Sequence, residues 1–297
     1  MELRITQRPE NGFLGGPKNV DFTVCHRGVS HRITIDQLCE RWITISSSDG
    51  CLYKDTLDFY YTLETLLMLF DGQFYPVVSA FENNVEITPG WNKRTLPSYH
   101  SADFMIGSGN VLLDYEMVLN DRLLEKWYAL REELDLIHKM VLYCLSSVEM
   151  PKDMQCAFMV EAFSGICELL HKKKPGFSKP SVPKGESKLK HYLLAVVNHY
   201  GSDIFGIEST ISKEKFAQIL VNSRNRIAHI KSEQDRIYLH GGESVMYLVK
   251  LSLLYRVVLF DLLGISKNLY NDKLTARIQA INEHDIMQEF LKKLAAI

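Results

Sequence analysis

The segment from residue 221 to 230, VNSRNRIAHI, brings together residue types that suit phosphate chemistry. Arg224 is followed directly by Asn225, and His229 comes after four intervening residues. A histidine titrates near neutral pH and can act as a general base or acid, whereas an arginine stays charged and binds phosphate through parallel donors. Cleavage of RNA without a metal needs both, because a base must take the ribose 2′-hydroxyl proton and a cation must stabilise the phosphorane. Asn225 could orient the imidazole or bind a phosphate oxygen.

Helical spacing predicts that Arg224 and His229 do not share a face. At about 100° per residue, His229 lies roughly 140° around a helix from Arg224, while Asn225 lies on the face of His229. The two side chains can therefore converge only at a helix end, at a kink or through a second chain. Since each chain offers only one such histidine, two-step acid–base chemistry is easier if two chains place their motifs side by side.

Arg224 is predicted to lie on the apolar side of this helix. The stripe is defined by six residues: Phe216, Ala217, Leu220, Val221, Ile227 and Ala228. A charged side chain at such a position is costly unless it is paired. We therefore expect Arg224 to contact a carboxylate, with Glu161 and Glu168 as candidates, or to face a groove or a subunit interface. A purely structural Arg–Glu pair beside a surface histidine is the alternative interpretation of the same spacing.

The string RNRIAH resembles the RX4-6H motif of HEPN domains, whose second position is usually Asn, Asp or His. Its context is similar too, because it ends a predicted helix in an all-helical region and precedes a polar turn and a long apolar helix. The resemblance implies a metal-independent endoribonuclease that leaves a 2′,3′-cyclic phosphate. His229 would be the acid and base, Arg224 would stabilise the phosphorane, and Asn225 and Arg226 would position RNA. HEPN nucleases commonly form dimers, which implies a homodimer through the helical bundle, and the apolar helix SVMYLVKLSLLYRVVLF is the expected dimer surface.

Other segments resemble the ApeA-type family of anti-phage HEPN proteins. WITISSSDG and LDFYYTLETLLMLFDGQ are similar to the end of that family's N-terminal domain, EKWYALREEL to its connecting helix, and FMVEAFSGICELLH to its first HEPN helix. The similarity covers residues 40–297, and the N-terminal half is short for the family. It implies cleavage of RNA, with tRNA as one candidate, in an abortive-infection or toxin-type response to a phage-derived trigger.

The sequence pattern predicts strands before residue 110 and helices after it, and these elements must position the residues described above. Before residue 110, four runs rich in β-branched and aromatic residues (20–25, 31–35, 42–48 and 76–81) alternate with turn signals, and one helical segment ends at Gly72. After it the pattern is helical almost throughout. We predict an α+β chain with a β-rich N-terminal domain at 1–110, of sensor or regulatory function, connecting helices at 111–150 and a HEPN bundle of five or six helices at 151–297.

Residues 171–191 hold seven lysines and three prolines between two predicted helices. This composition predicts a mobile loop, which is either a solvated surface or a basic flap that holds RNA phosphates. The overall net charge of −2 gives no general attraction to nucleic acid, so RNA binding would depend on such a local patch. The candidate RNA-binding residues are Lys172, Lys173, Lys174, Lys188 and Lys190.

Several other classes of site and location receive little support. The six cysteines form no CxxC pair, and with no signal peptide this favours free thiols in a cytoplasmic protein that does not cross a membrane. A carboxylate-bridged metal site has only one ExxH, Glu168 to His171, and a degenerate DxxH, Asp135 to His138. We therefore expect no metal and no cofactor. A catalytically silent HEPN module that binds RNA or a partner protein stays open as the alternative function.

Overall fold

The computed structural model describes residues 1–8, 17–48, 51–72, 75, 77–88, 111–145, 150–229 and 236–296. The described residues divide into two compact units, Met1–Glu132 and the part from Glu133 onward. The predicted divisions at residues 110 and 150 stay predictions.

The first unit is built on an antiparallel sheet, as the alternating strand patterns predict. Its strand order is β2-β3-β4-β1-β5-β6. The strands are β1 (Glu2–Gln7), β2 (Lys18–His26), β3 (Val29–Gln37), β4 (Arg41–Ser47), β5 (Val77–Glu82) and β6 (Val85–Glu86). The four predicted strands correspond to β2, β3, β4 and β5. The central strand β1 and the short β6 were not predicted from the sequence.

One helix, α1 (Tyr53–Asp71), packs on this sheet. Its predicted end is confirmed, because Gly72 follows with a φ of 75° and its N–H donates to the carbonyl of Met68 at 2.7 Å. The face of the sheet beneath the helix is apolar, as period-two alternation requires. The residues of this face are fully buried: Leu3, Ile5, Ile33, Ile35, Ile43 and Ile45.

The helix that follows, α2 (Asp121–Leu145), is interrupted at Asp135, where φ is 27° and ψ is −102°. This break divides the segment into two helices, in line with the predicted connecting helices. A positive φ is uncommon for a residue other than glycine. The boundary between the two units falls three residues earlier, after Glu132.

The second unit is helical, which confirms the α+β class. Its helix α3 contacts α4, α5 and α6. The bounds are α3 (Lys152–Lys173), α4 (Lys188–Tyr200), α5 (Gly206–His229), α6 (Gly242–Leu263), α7 (Asn271–Asn282) and α8 (Asp285–Ala296). Local signals set several of these bounds: Pro151 precedes α3, Gly201 follows α4, and Gly264 follows α6 with a φ of 78°.

The helix α6 is the core of this unit. Its side chains from Met246 to Phe260 are buried without interruption. The ammonium of Lys250 donates to Glu208 at 2.5 Å, and the hydroxyl of Tyr247 donates to the same oxygen at 3.0 Å. The prediction that this helix forms the dimer surface is therefore wrong, because other parts of the same chain already cover it.

Candidate active site

The segment RNRIAH, which resembles the RX4-6H motif, lies in the last two turns of α5. Ser212 interrupts the helix with an extended conformation, and His229 is the final helical residue. The first four residues of the predicted apolar stripe, from Phe216 to Val221, are buried. Ile227 is half-buried and Ala228 is exposed, so the prediction that the stripe continues through them is wrong. The helix leaves the core at the motif, which gives the motif access to solvent.

Arg224 forms an ion pair with Glu161 of α3. Its Nε donates to Oε2 of Glu161 at 2.6 Å, and one Nη donates to the side-chain oxygen of Asn225 at 3.0 Å. The side chains of Arg224 and Glu161 are 27% and 37% exposed. A guanidinium has five N–H donors. These two contacts therefore hold Arg224 from one side and leave its other N–H donors available to a phosphate.

Glu168, the other predicted partner of Arg224, does not contact it. Glu168 lies seven residues, or about two helical turns, beyond Glu161 on α3. It accepts hydrogen bonds from Lys179 at 2.8 Å and from the hydroxyl of Tyr192 at 3.2 Å, and it also pairs with Lys188. The prediction that Glu168 supports Arg224 is therefore wrong. The carboxylate of Glu168 instead holds the loop between α3 and α4 through these contacts.

His229 is exposed at the end of α5. The only non-helical residue within the described helix is Ser212, so no kink separates Arg224 from His229. At 100° per residue the two side chains stay about 140° apart on the helix. Of the three routes by which they could converge, a kink in this helix is excluded, whereas a second chain or a change at the helix end is not.

Asn225 and Arg226 follow Arg224 directly and contact different partners. Asn225 accepts the hydrogen bond from Arg224. The guanidinium carbon of Arg226 lies 4.2 Å from the centre of the Tyr238 ring. Tyr238 comes from the chain that returns toward α6, and its role was not predicted from the sequence.

Two polar side chains of α5 fasten this returning chain. Nδ2 of Asn222 donates to the carbonyl of Ile237 at 3.0 Å, and the N–H of Leu239 donates to Oγ of Ser223 at 2.8 Å. The available signal was the pair of polar residues just before the motif, in VNSRNR, but their partners lie about fifteen residues away and cannot be assigned from spacing.

The loop between α3 and α4 is not a free basic flap. Four of the five candidate lysines form ion pairs: Lys173 with Glu133, Lys174 with Asp261, Lys188 with Glu168 and Lys190 with Glu214. Lys172 is exposed at the end of α3. Phe177 is also buried. Most of the positive charge is therefore neutralised within the chain, and an RNA-binding role for these lysines stays a prediction.

The candidate metal ligands are dispersed. Asp135 pairs with Lys139, Glu168 pairs with lysines, and Nδ1 of His138 lies 2.7 Å from the hydroxyl of Tyr255. Among the described residues, no group of three or more His, Cys, Asp or Glu side chains could hold a metal ion. None of the helices in the described ranges has the length and apolar character needed to span a membrane.

Comparison with known proteins identifies the bundle. Residues 160–269 match the family model described as Apea-like HEPN, and the match contains Glu161 and the whole RX4-6H motif. No curated protein and no solved structure matches the chain. The chain therefore contains an Apea-like HEPN domain at residues 160–269.

Proposed function

We propose that this chain is a metal-independent endoribonuclease. HEPN domains are a family to which ribonuclease activity is assigned, so the domain suggests this class of reaction. The observation that carries the proposal is the placement of Arg224, held from one side by Glu161 and Asn225 and partly open to solvent. Arginine in this setting can bind the two non-bridging oxygens of a phosphate through its remaining donors.

The reaction is an internal transfer in RNA. His229 takes the proton of the ribose 2′-hydroxyl, the 2′-oxygen attacks phosphorus, and the bond from phosphorus to the 5′-oxygen breaks. Arg224 stabilises the charge of the phosphorane, and a protonated imidazole gives a proton to the leaving 5′-oxygen. The products are a 2′,3′-cyclic phosphate and a 5′-hydroxyl. Asn225 and Arg226 position the RNA.

A second copy of the chain would supply the missing half of the site. Arg224 and His229 lie on different sides of one helix, which supports a composite site formed by two motifs across a two-fold axis. The surface for this contact is outside α6, because that helix is buried. We place the contact at the solvent-facing end of α5, where the motif lies.

The biological setting rests on the family resemblance. An anti-phage or toxin-type defence role follows from the similarity to the ApeA-type family, with tRNA as one candidate substrate and a phage-derived molecule as the trigger. The β-rich first unit would then sense or regulate, and the protein would act in the cytoplasm.

A catalytically silent module that binds RNA or a partner protein is the second candidate. The ion pairs favour it, because Arg224 and four of the loop lysines already have carboxylate partners. An intact motif does not by itself make an active site.

Expression in a bacterial host separates the two functions. An active nuclease should slow growth, and Arg224→Ala or His229→Ala should restore it. His199→Ala is the matched control, since His199 is an exposed histidine of α4 that contacts Phe177 and Tyr200. If the wild type and both motif variants are equally harmless, with and without phage infection, the silent module is the better account.

A further inference from the structure

The nearest cation to His229 along its own helix face is Arg226 rather than Arg224. Arg226 and His229 are three residues apart, which places them about 60° apart on the helix and makes them neighbours. Arg224 lies roughly 140° away from His229. One face of α5 therefore carries the arginine held by Glu161, and another face carries Arg226 with the histidine.

Arg226 differs from the other cations of the site in what it contacts. Its guanidinium lies on the ring of Tyr238, at 4.2 Å, and within the described ranges it contacts no carboxylate. Arg224 and four of the loop lysines, in contrast, each pair with an acidic side chain. The charge of Arg226 is therefore available to a phosphate or to the π-face of a base.

The ring of Tyr238 is held in place before any ligand arrives. The residues on either side of it are fixed to α5 by Asn222 and Ser223, and Leu239 is only 2% exposed. The N–H of Gly241 donates to Asp153 of α3 at 2.9 Å, which fixes the end of the segment. Tyr238 itself is half-buried, so part of its side chain stays open to solvent.

We propose that Arg226 and Tyr238 form a stacking platform for one unpaired base of the RNA substrate. Aromatic rings and guanidinium planes bind splayed bases of single-stranded RNA by stacking, and every base has a π-face. A base on this platform brings the neighbouring ribose and phosphate to the face of α5 that carries His229. The inference deepens the proposed nuclease function and rests on it, because it names single-stranded RNA as the substrate class and Tyr238 as a positioning residue.

Two predictions distinguish this platform from a structural contact. The platform prefers single-stranded RNA to a duplex, in which bases are already stacked, and it tolerates any base. The platform also gives the two residues different effects on RNA affinity. Tyr238 contributes stacking, which depends little on salt, whereas Arg226 contributes a positive charge, whose effect on affinity falls as salt rises.

The test measures binding of labelled single-stranded RNA oligonucleotides to the His229→Ala protein, so that cleavage does not intervene. In this background Tyr238→Leu should weaken binding by roughly 5- to 150-fold, whereas Tyr238→Phe and Tyr238→Trp, which keep a ring, should bind within about threefold of the parent. Arg226→Met should lower the slope of log affinity against log salt by about one. Equal affinities for the Leu, Phe and parent proteins would overturn the platform.

A second measurement needs no change at Tyr238 and covers the case in which the Leu variant does not fold. Oligonucleotides just long enough to bind in one register, each with one abasic site at a different position, should bind the parent protein normally except when the missing base is the one on the platform. A uniform response at every position would refute the inference while leaving the nuclease proposal intact. If the parent binds no RNA at all, the proposed function fails, and the platform fails with it.

Discussion

The ion pair between Glu161 and Arg224 allows stability and chemistry to be separated. Both side chains are partly exposed, at 37% and 27%, so the pair should contribute at most about 1 kcal/mol to the free energy of unfolding. A hydrogen bond to a charged group that holds a catalytic cation is worth about 1.5–3 kcal/mol in the transition state. We therefore expect Glu161→Ala to lower the cleavage rate by roughly 10- to 150-fold. Glu161→Gln should lower the cleavage rate by about tenfold, because the amide oxygen of glutamine still accepts a hydrogen bond but lacks the charge.

Single-turnover cleavage of an RNA oligonucleotide and urea unfolding together provide the assay. Glu168→Gln is the matched control, since it removes the same charge from the same helix but from a carboxylate that contacts Lys179 instead of Arg224. It should leave the cleavage rate unchanged. The reasoning is refuted if Glu161→Ala cleaves at the wild-type rate while Arg224→Ala is inactive, or if both glutamate variants lose activity equally.

Three further expectations concern stability and reactivity. Burial lowers the pKa of His31 from 6.5 to about 4, so the unfolded state binds more protons between these values. The contribution of His31 to the free energy of unfolding should be fully present above pH 6.5 and fall with decreasing pH by up to about 3 kcal/mol. Urea titrations of His31→Gln should show a smaller loss than the wild type, and the loss that remains includes that of His26, whose pKa burial also lowers. Lys250→Met should lower the free energy of unfolding by about 3–5 kcal/mol because it leaves Glu208 buried without its cation, and adding Glu208→Leu should restore most of it; additive losses would contradict this pairing. Burial also raises the pKa of the Cys156 thiol, whereas Cys25 is exposed, so a thiol reagent should modify Cys25 in the folded protein and Cys156 only after unfolding, as peptide mass mapping would show.

Local patterns predicted most elements because their signals are local. The helix ends at Gly72, Gly201 and Gly264 follow from turn chemistry, and four strands follow from alternation. The strand β1 was missed although Leu3 and Ile5 alternate with polar residues, because the segment is only six residues long and these two are its only fully buried apolar side chains. That it lies between β4 and β5 depends on pairing over long sequence distances, which no local pattern contains.

The residue types of the candidate site were predicted from the sequence, but the pairs of residues that contact each other were not. The spacing indicated that Arg224 needs an acidic partner, but only the packing of α3 against α5 selects Glu161 over Glu168. The ion pairs of the basic loop could not be predicted for the same reason, since the carboxylates that contact its lysines come from four other parts of the chain.

The burial of α6 could have been predicted from the sequence. A helix that is apolar all round is typical of a core rather than of a surface. Its charged residues agree with this, because Lys250 and Asp261 each have a partner within the bundle. Tyr238, in contrast, gives no signal in the sequence, because its position depends on two hydrogen bonds that join its chain neighbours to Asn222 and Ser223, about fifteen residues earlier in the chain.

The most direct test of the nuclease proposal is incubation of the purified protein with total RNA, followed by mapping of the cut ends. In the presence of a metal chelator the wild type should produce 2′,3′-cyclic phosphate and 5′-hydroxyl ends at discrete sites. Arg224→Ala and His229→Ala should produce none, whereas the His199→Ala control should cut as the wild type does. Cleavage that persists in His229→Ala, or that stops with the chelator, would contradict the proposed mechanism.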